Sequence, residues 1–280
     1  MIRPSFSMVL TGAGGGLGQA IARELAPDCK AMVLAGHTPA KLEALRQELR
    51  SQRPDLPISL VSGDLRLADT RSRIVDAAHA LPEKINLAIN NAGTSDFHAF
   101  ESQSGDAMER QLAVNLLAPM RLTQTLLPLL RQSPAAQIVN IGSIFGYLGY
   151  PGFAAYCASK FGLRGYSQAL RRELADTGID VRYFAPRAIR TDLNSPAVSA
   201  MNRELRNIED DPQAVAKKLS RFLAGSAWEC KVGFPERLYV FLNQLAPAIN
   251  DGGIRRQLQT IRRHLPAPAR RSTTPKGVIP

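Results

Sequence analysis

An α/β fold built on a doubly wound parallel sheet is predicted by three observations. Short apolar runs alternate with helical patterns through the first 190 residues. A glycine-rich turn joins the first run to the first helical stretch. No linker or repeat of about 20–50 residues interrupts the alternation. Strands that alternate with helices connect by crossovers, which leaves them parallel with both sheet faces covered. Right-handed crossovers then gather the strand C-termini at one edge, where ligands bind at the reversal of strand order.

In chain order, the first apolar run at 6–10 leads directly into the glycine turn and a helix over 17–26. A second strand at 31–35 precedes a helix over 39–52, and a third at 58–61 precedes a helix over 67–81. The fourth strand, 87–90, ends in Asn90-Asn91-Ala92-Gly93 and is followed by a long helix over 106–132. The fifth, 137–141, precedes a helix over 153–177, and the sixth is 181–184. Beyond it the pattern weakens: 190–228 reads as an excursion with a helix or two. Cys230-Lys231-Val232-Gly233 reads as a short last strand, followed by a helix over 236–245.

The composition narrows the function classes. The chain has 280 residues, 45% of them hydrophobic, enough for a sizeable core. No run of about 18 apolar residues is present, so no membrane-spanning helix is expected. The first apolar run is too short for a secretory signal, and a cytoplasmic protein is expected. Cys29, Cys157 and Cys230 are far apart and in no metal-like spacing, so neither a disulfide framework nor a metal site is expected. The net charge is +11, but residues 254–280 carry seven Lys/Arg and no acid, leaving the other 253 residues at +4. A near-neutral body with a basic tail does not suggest a nucleic-acid binder.

Thr11-Gly12-Ala13-Gly14-Gly15-Gly16-Leu17-Gly18 lies between strand and helix. Such a loop lets the backbone turn tightly and approach a pyrophosphate, while the helix N-terminus offers free N–H groups and a positive dipole end. The second signal is Tyr156-Cys157-Ala158-Ser159-Lys160. Four residues apart on a helix, Tyr156 and Lys160 share a face. A free phenol titrates near pH 10, and a neighbouring ammonium is expected to lower that value and make the phenol a usable acid/base. Cys157 should point to another face of the helix, and no chemistry is assigned to it.

These motifs resemble the short-chain dehydrogenase/reductase family over roughly residues 6–192. The glycines Gly12, Gly16 and Gly18 follow that family's Thr-Gly-x-x-x-Gly-x-Gly spacing. The resemblance implies a Rossmann-like fold and reversible carbonyl/alcohol interconversion with a nicotinamide cofactor. It implies Tyr156 as the acid/base, Lys160 on the nicotinamide ribose, Ser143 holding the substrate oxygen where charge develops, and Asn115 anchoring a water in a proton relay. Cofactor contacts are implied for Thr11, Gly12, Gly14, Gly16, Leu17, Gly18, Asn91, Ala92 and Gly93, and for Tyr156, Lys160, Pro186 and Thr191. Asp64 matches the carboxylate beside the adenine, and it could equally cap the next helix. No acid follows the second strand in Leu34-Ala35-Gly36-His37-Thr38; an acid there would bind a ribose 2′-OH and repel a 2′-phosphate. NADP is therefore the expected cofactor, with NAD left open and His37 standing where an arginine is usual.

Two departures from the family pattern matter. Arg187 replaces a glycine after Pro186, which should cost backbone freedom and place a cation near the site; with Arg190 it would bind an acidic group or simply be solvated. The second is a C-terminal extension. Ile254, Leu258, Ile261 and Leu265 form an apolar stripe with Arg255, Arg256, Arg262 and Arg263 off it. Three readings stay open for this basic amphipathic helix: packing on its own domain or a dimer mate, docking on the inner membrane surface, or contact with an acidic acyl carrier. Residues 1–235 thus read as a dinucleotide-binding catalytic domain, 236–265 as an amphipathic helical extension and 266–280 as a disordered basic tail.

Substrate contacts are expected from Ser143, Phe145 and Tyr150, with Phe97, Tyr147, Phe153, Leu193 and Met201 completing an apolar pocket. The expected substrate is a hydrophobic, lipid-derived carbonyl or alcohol. Alternatives are a 3-oxoacyl-carrier-protein reductase and a non-catalytic NADP-binding sensor or docking protein. Family resemblance further implies a homodimer or homotetramer through the helices at 106–132 and 153–177.

Overall fold

The computed structural model describes residues 5–266. Strands β1 (Phe6–Thr11), β2 (Cys29–Gly36), β3 (Ile58–Ser62), β4 (Leu87–Asn90), β5 (Ala136–Ile141), β6 (Ile179–Ala185) and β7 (Glu229–Lys231) form one parallel sheet in the order β3-β2-β1-β4-β5-β6-β7. The order reverses between β1 and β4, so the carboxyl ends of those two strands frame the ligand crevice. The strands stand where the apolar runs predicted them: β1, β3 and β5 are longer by one residue, β2 and β6 by three, β4 is as predicted, and β7 starts one residue earlier and ends two earlier. The tail expected over 266–280 lies outside the described residues from 267 onward.

Alternation along each strand divides the core. Met8 and Leu10 of β1 point to the side of α1 (Gly16–Leu25) and α2 (Pro39–Gln52), packing with Ile21, Leu42 and Leu45; α8 (Pro212–Ala224) adds Leu219 and Phe222. Val9 points to the opposite side, covered by α3 (Ala68–His79), α5 (Ala118–Leu130) and α6 (Ala154–Glu173) through Ile74, Leu122, Leu126 and Leu170. Burying both faces removes the polar alternation that a one-sided sheet would show.

The predicted helix over 106–132 is interrupted. It comprises α4 (Gly105–Leu112), a π-helical turn at Ala113–Leu117, and α5. Pro119 is the cause: it has no N–H to give the Asn115 carbonyl four residues earlier. The turn widens instead, and the Ala118 N–H bonds to the Ala113 carbonyl. Asn115 therefore sits at an irregularity the sequence itself imposes.

Buried polar side chains tie the strand ends together. Asn90 Nδ2 donates to Asn140 Oδ1 (2.8 Å) and Thr123 Oγ1 (3.1 Å); Asn140 Nδ2 donates in turn to Ser167 Oγ (2.8 Å). The chain links β4, β5, α5 and α6 just behind the crevice.

The C-terminal region holds α7 (Pro196–Glu204), α8, α9 (Glu236–Leu245) and α10 (Pro247–His264). The apolar stripe of α10 faces inward: Ile261 is fully buried, while Ile254, Leu258 and Leu265 are half-buried. Of the three readings of this helix, packing on its own domain is the one seen. Its last turn is fastened to α7, where Glu204 receives Arg263 and lies 2.8 Å from His264 Nε2.

Replacing Asn140 by alanine should leave the Asn90 amide with Thr123 as its one acceptor and remove the donor to Ser167 Oγ, which keeps its bond to the Leu163 carbonyl. Urea unfolding of Asn140→Ala is expected to show a loss of about 1–3 kcal/mol. A loss below about 0.5 kcal/mol would contradict the network's structural role.

Candidate active site

Each expected site residue reaches the crevice from a strand end or an adjoining helix. Gly12, at φ 65°, lies in the left-handed region and packs so closely on β4 that a Cβ would stand 2.8 Å from Ala92 Cα. A Cβ on Gly18 would overlap the Gly12 carbonyl, and one on Gly16 would stand 2.8 Å from the Thr191 methyl. Thr11 Oγ1 accepts from the N–H groups of Asn91 (3.0 Å) and Ala92 (3.1 Å), while Asn91 Nδ2 donates back to Thr11 O and Gly12 O. This interlock fixes the glycine loop against the end of β4. Leu17 packs on the core behind it, Gly14 is half-buried, and Gly15 and Gly16 stay exposed at the mouth.

Asp64 has a clear partner. Arg66 clamps its carboxylate at 2.8 and 2.6 Å and bonds to it through the backbone at 2.9 Å. That guanidinium, ahead of smaller effects, holds the Asp64 carboxyl below its ordinary range. The capping alternative fails: α3 begins after Leu67 with no side-chain cap. His37 is exposed at the end of β2.

Tyr156, Lys160, Ser143 and Asn115 converge. Lys160 is 5% exposed, its ammonium donates to the Ile141 carbonyl at the end of β5 (3.0 Å), and Nζ stands 5.7 Å from the Tyr156 ring centre. Burial lowers Lys160 to about 8. Burial also pushes the Tyr156 phenol up to about 12, opposed by a hydrogen bond to Ser143. In the chain alone burial is the largest influence on the phenol, in contrast to the lowering by the ammonium expected from the spacing. Ser143 Oγ accepts from the Phe145 N–H (3.1 Å) and hydrogen-bonds the Tyr156 phenol, so the two hydroxyls stand side by side. Asn115 exchanges two 2.8 Å bonds with the Thr94 backbone and donates to Ser159 Oγ (3.1 Å), which donates to the Tyr156 carbonyl (2.7 Å). Gly93 lies in this group, since a Cβ there would be 3.3 Å from Asn115 Oδ1 and 3.8 Å from Lys160 Nζ.

Two contributors carried no legible signal. Ser159 links Asn115 to the Tyr156 turn. Tyr183, fully buried on β6, fills the space above Gly142 and Gly146 and donates to the Lys160 carbonyl (3.2 Å), wedging α6 against β5.

The pocket differs in part from expectation. Phe97, Phe145, Tyr150, Phe153, Tyr156 and Met201 form one apolar cluster. Cys157 belongs to it too, against the expectation that it faces elsewhere; it has no charged partner, and burial raises its thiol. Tyr147 lies in a different cluster and donates to Glu229 (2.8 Å), while Leu193 is exposed. The far wall comes from α10: Ile261 and Leu265 join the cluster, and Gln257 Oε1 accepts from the Tyr150 hydroxyl (2.9 Å). Arg187 is not in an open site. It is held by Asp210 (2.7 Å) and Glu236 (3.2 Å), and its backbone is not left-handed, so the glycine substitution carries no strain.

A family model described as short chain dehydrogenase matches residues 7–202. The chain belongs to the short-chain dehydrogenase family. Among curated relatives, nodulation protein G of Rhizobium meliloti is 31% identical over 218 residues, covering 78% of this chain and 84% of that protein. The 3-oxoacyl-[acyl-carrier-protein] reductase FabG of Rickettsia bellii is 32% identical over 230 residues, covering 78% and 91%. A short-chain dehydrogenase from Sphingobium yanoikuyae, solved with NADPH, superposes with a TM-score of 0.73 at 26% identity, covering 88% of this chain and 94% of that one. One from Burkholderia phymatum, solved with NAD, superposes at 0.79 with 21% identity, covering 89% and 96%, and shows the shared fold. As a short-chain dehydrogenase, the chain is an oxidoreductase that uses a nicotinamide cofactor.

Lys160 gives a signed pH test. Its folded pKa lies below the free value, so the unfolded chain binds more protons between about pH 8 and pH 10.5 and stability rises with pH across that window. Relative to Lys160→Met, the wild-type chain without cofactor should gain up to about 3 kcal/mol from pH 7 to pH 10.5. A difference independent of pH would show that the amine is not buried as a cation.

Proposed function

We propose that this short-chain dehydrogenase is an NADP-dependent reductase of hydrophobic carbonyl compounds, with Tyr156 as proton donor. One observation carries the reading: a phenol raised to about 12, hydrogen-bonded to the Ser143 hydroxyl and beside a buried lysine, inside an aromatic pocket. At neutral pH such a phenol keeps its proton, the form needed to protonate a carbonyl oxygen.

Fit to the cofactor rests on the glycine cradle, where added side chains would collide with Ala92, Gly12 and Thr191. Thr11, Gly12, Gly14, Gly16, Leu17 and Gly18 would hold the pyrophosphate on the α1 N-terminus. Asn91, Ala92, Gly93 and Asp64 would flank the adenosine, and Lys160, Pro186 and Thr191 the nicotinamide end. When bound, the cofactor supplies hydride to the carbonyl carbon. Ser143 donates to the substrate oxygen and steadies the charge that develops there; Tyr156 delivers the proton. The Asn115 carbonyl, freed by Pro119, holds a water that resupplies it through Lys160. Preference for NADP is supported by the absence of an acid after β2, by exposed His37, and by Lys41, whose Cβ lies 3.4 Å from where a Gly14 Cβ would stand.

Phe145 and Tyr150 stack at 5.1 Å and would flank the substrate, with α10 closing the pocket. A 3-oxoacyl-carrier-protein reductase is the second reading, favoured by the likeness to the Rickettsia bellii enzyme. Self-association through α5 and α6 is supported by exposed Leu117 and Phe161 on that face.

The test is oxidation of NADPH and NADH with aldehydes, ketones and 3-oxoacyl thioesters. Tyr156→Phe should lower kcat/KM by about 10²–10⁴-fold and leave NADPH affinity unchanged. His37→Asp should move the preference toward NADH. Wild-type turnover that survives in Tyr156→Phe would refute the assignment. Ile261→Ala should open the far wall and raise the relative rate on bulkier substrates; an unchanged substrate order would remove α10 from the pocket.

A further inference from the structure

Helix α9 is apolar on the side away from its own core. Its inward face is accounted for: Val240 is 1% exposed, Asn243 donates to the Tyr147 carbonyl (3.0 Å) and Glu236 meets Arg187. On the opposite side stand Leu238, Phe241 and Leu245, and Phe234 is exposed two residues before the helix. The spacing of 3 and 4 puts the three helical residues on one stripe, and the four exposures run from 44% to 76%. An isolated exposed leucine is ordinary, but a stripe of three on one helix with a phenylalanine at its start is the kind of exposed apolar patch that marks a contact with a second apolar medium.

The stripe begins at a basic cleft. A cavity of about 540 Å³ is lined by Lys218, Arg221, Lys231 and Arg237 and reaches Phe234. Residues 212–246 contain five Lys/Arg and only two acids, Glu229 and Glu236. Both acids are engaged, Glu229 by Lys231 and Arg164, and Glu236 by Arg187. Among the described residues no acid pairs with Arg221 or Arg237.

We propose that this face docks the protein on an anionic lipid bilayer, with the α9 stripe entering the interface and lipid phosphates taken by Arg221 and Arg237, while Lys218 and Lys231 beside them stay paired with Asp210 and Glu229. An apolar ridge one helix wide with cations at its side is the pattern of helices that lie in the plane of a membrane. No helix among the described residues is long and apolar enough to cross one, so the contact is peripheral. A second copy is the poorer occupant. Pairing this face with itself would bring two sets of the same cations together, with no free acid to answer them. The site thus differs from the helix that sequence periodicity suggested: α10 turns its stripe inward, and α9 presents one outward.

The experiment is co-sedimentation of the full chain with vesicles of phosphatidylcholine alone and with about one third phosphatidylglycerol, where added charge should strengthen binding. Three full-length variants accompany it: Phe241→Ser/Leu245→Ser, Arg221→Glu/Arg237→Glu, and a tail variant with Arg270, Arg271 and Lys276 changed to serine. Wild type should bind the anionic vesicles at least tenfold more tightly than the neutral ones. Both face variants should lose at least tenfold, with unchanged thermal midpoint and NADPH affinity. The tail variant should keep most of the binding. Absence of wild-type binding overturns the proposal. So does loss in the tail variant alone. A dimer dissociated by Phe241→Ser/Leu245→Ser without vesicle binding would assign the face to a second copy, and capture of an acidic carrier protein without vesicle binding would assign it to that partner; either overturns it. None of these outcomes depends on the identity of the substrate.

Discussion

The ammonium of Lys160 is the constraint around which the site is organised. It lies at the end of β5 with the Ile141 carbonyl as its protein acceptor, under a roof formed by α6. A cation in such a place is costly, which is why its pKa falls. It persists because the surroundings over-determine it. Tyr183 wedges between β5 and α6, Gly142 and Gly146 leave room for that ring, and the Asn90–Asn140–Ser167 chain holds β4, β5 and α6 in register. Tyr156, one turn earlier on α6, is positioned by the same packing. Its high pKa is therefore a consequence of architecture: the elements that bury the lysine also partly bury the phenol, and that desolvation raises it.

The polar inventory around this pair is nearly closed. Asn115 has both ends of its amide occupied by Thr94, with Ser159 as an additional partner, and Ser159 reaches back to the Tyr156 backbone. Ser143 accepts from Phe145 and hydrogen-bonds the Tyr156 phenol. Groups so fixed lose little freedom when a transition state forms, which is the physical content of preorganisation. The hydroxyl pair, phenol and serine, sits beside the aromatic cluster.

Much of this was legible in the sequence, because buried strands of a parallel sheet are short apolar runs and a glycine loop between strand and helix has few other uses. The order Gly12–Gly18, Asn90–Gly93, Ser143 and Tyr156–Lys160 brought the right residues to one sheet edge. What could not be read was non-local. Ser159 and Tyr183 matter through partners far along the chain, and nothing in their neighbourhoods marks them. The break at Asn115 had a local cause, Pro119, which the long apolar periodicity of 106–132 concealed. Spacing shows that a lysine is near Tyr156 but not how far the fold buries the phenol. Tyr147 and Arg187 were placed by residue type near the site; their true partners, Glu229 for one and Asp210 and Glu236 for the other, emerge only once β7 and α9 are in position. The C-terminal stripes show the same limit. Periodicity finds an amphipathic helix, but whether its apolar side meets its own domain depends on the rest of the fold.

The central claim is that Tyr156 is a partly buried phenol that keeps its proton at neutral pH. Carbon-13 labelling of the tyrosine ring carbon bearing oxygen, followed by an NMR pH titration of wild type and Tyr156→Phe, measures it directly. The resonance missing from the variant should stay in its protonated position through pH 10 and begin to move only above it. A midpoint at or below about pH 8 would contradict the account, since it would mean that the Lys160 charge, not burial, governs the phenol.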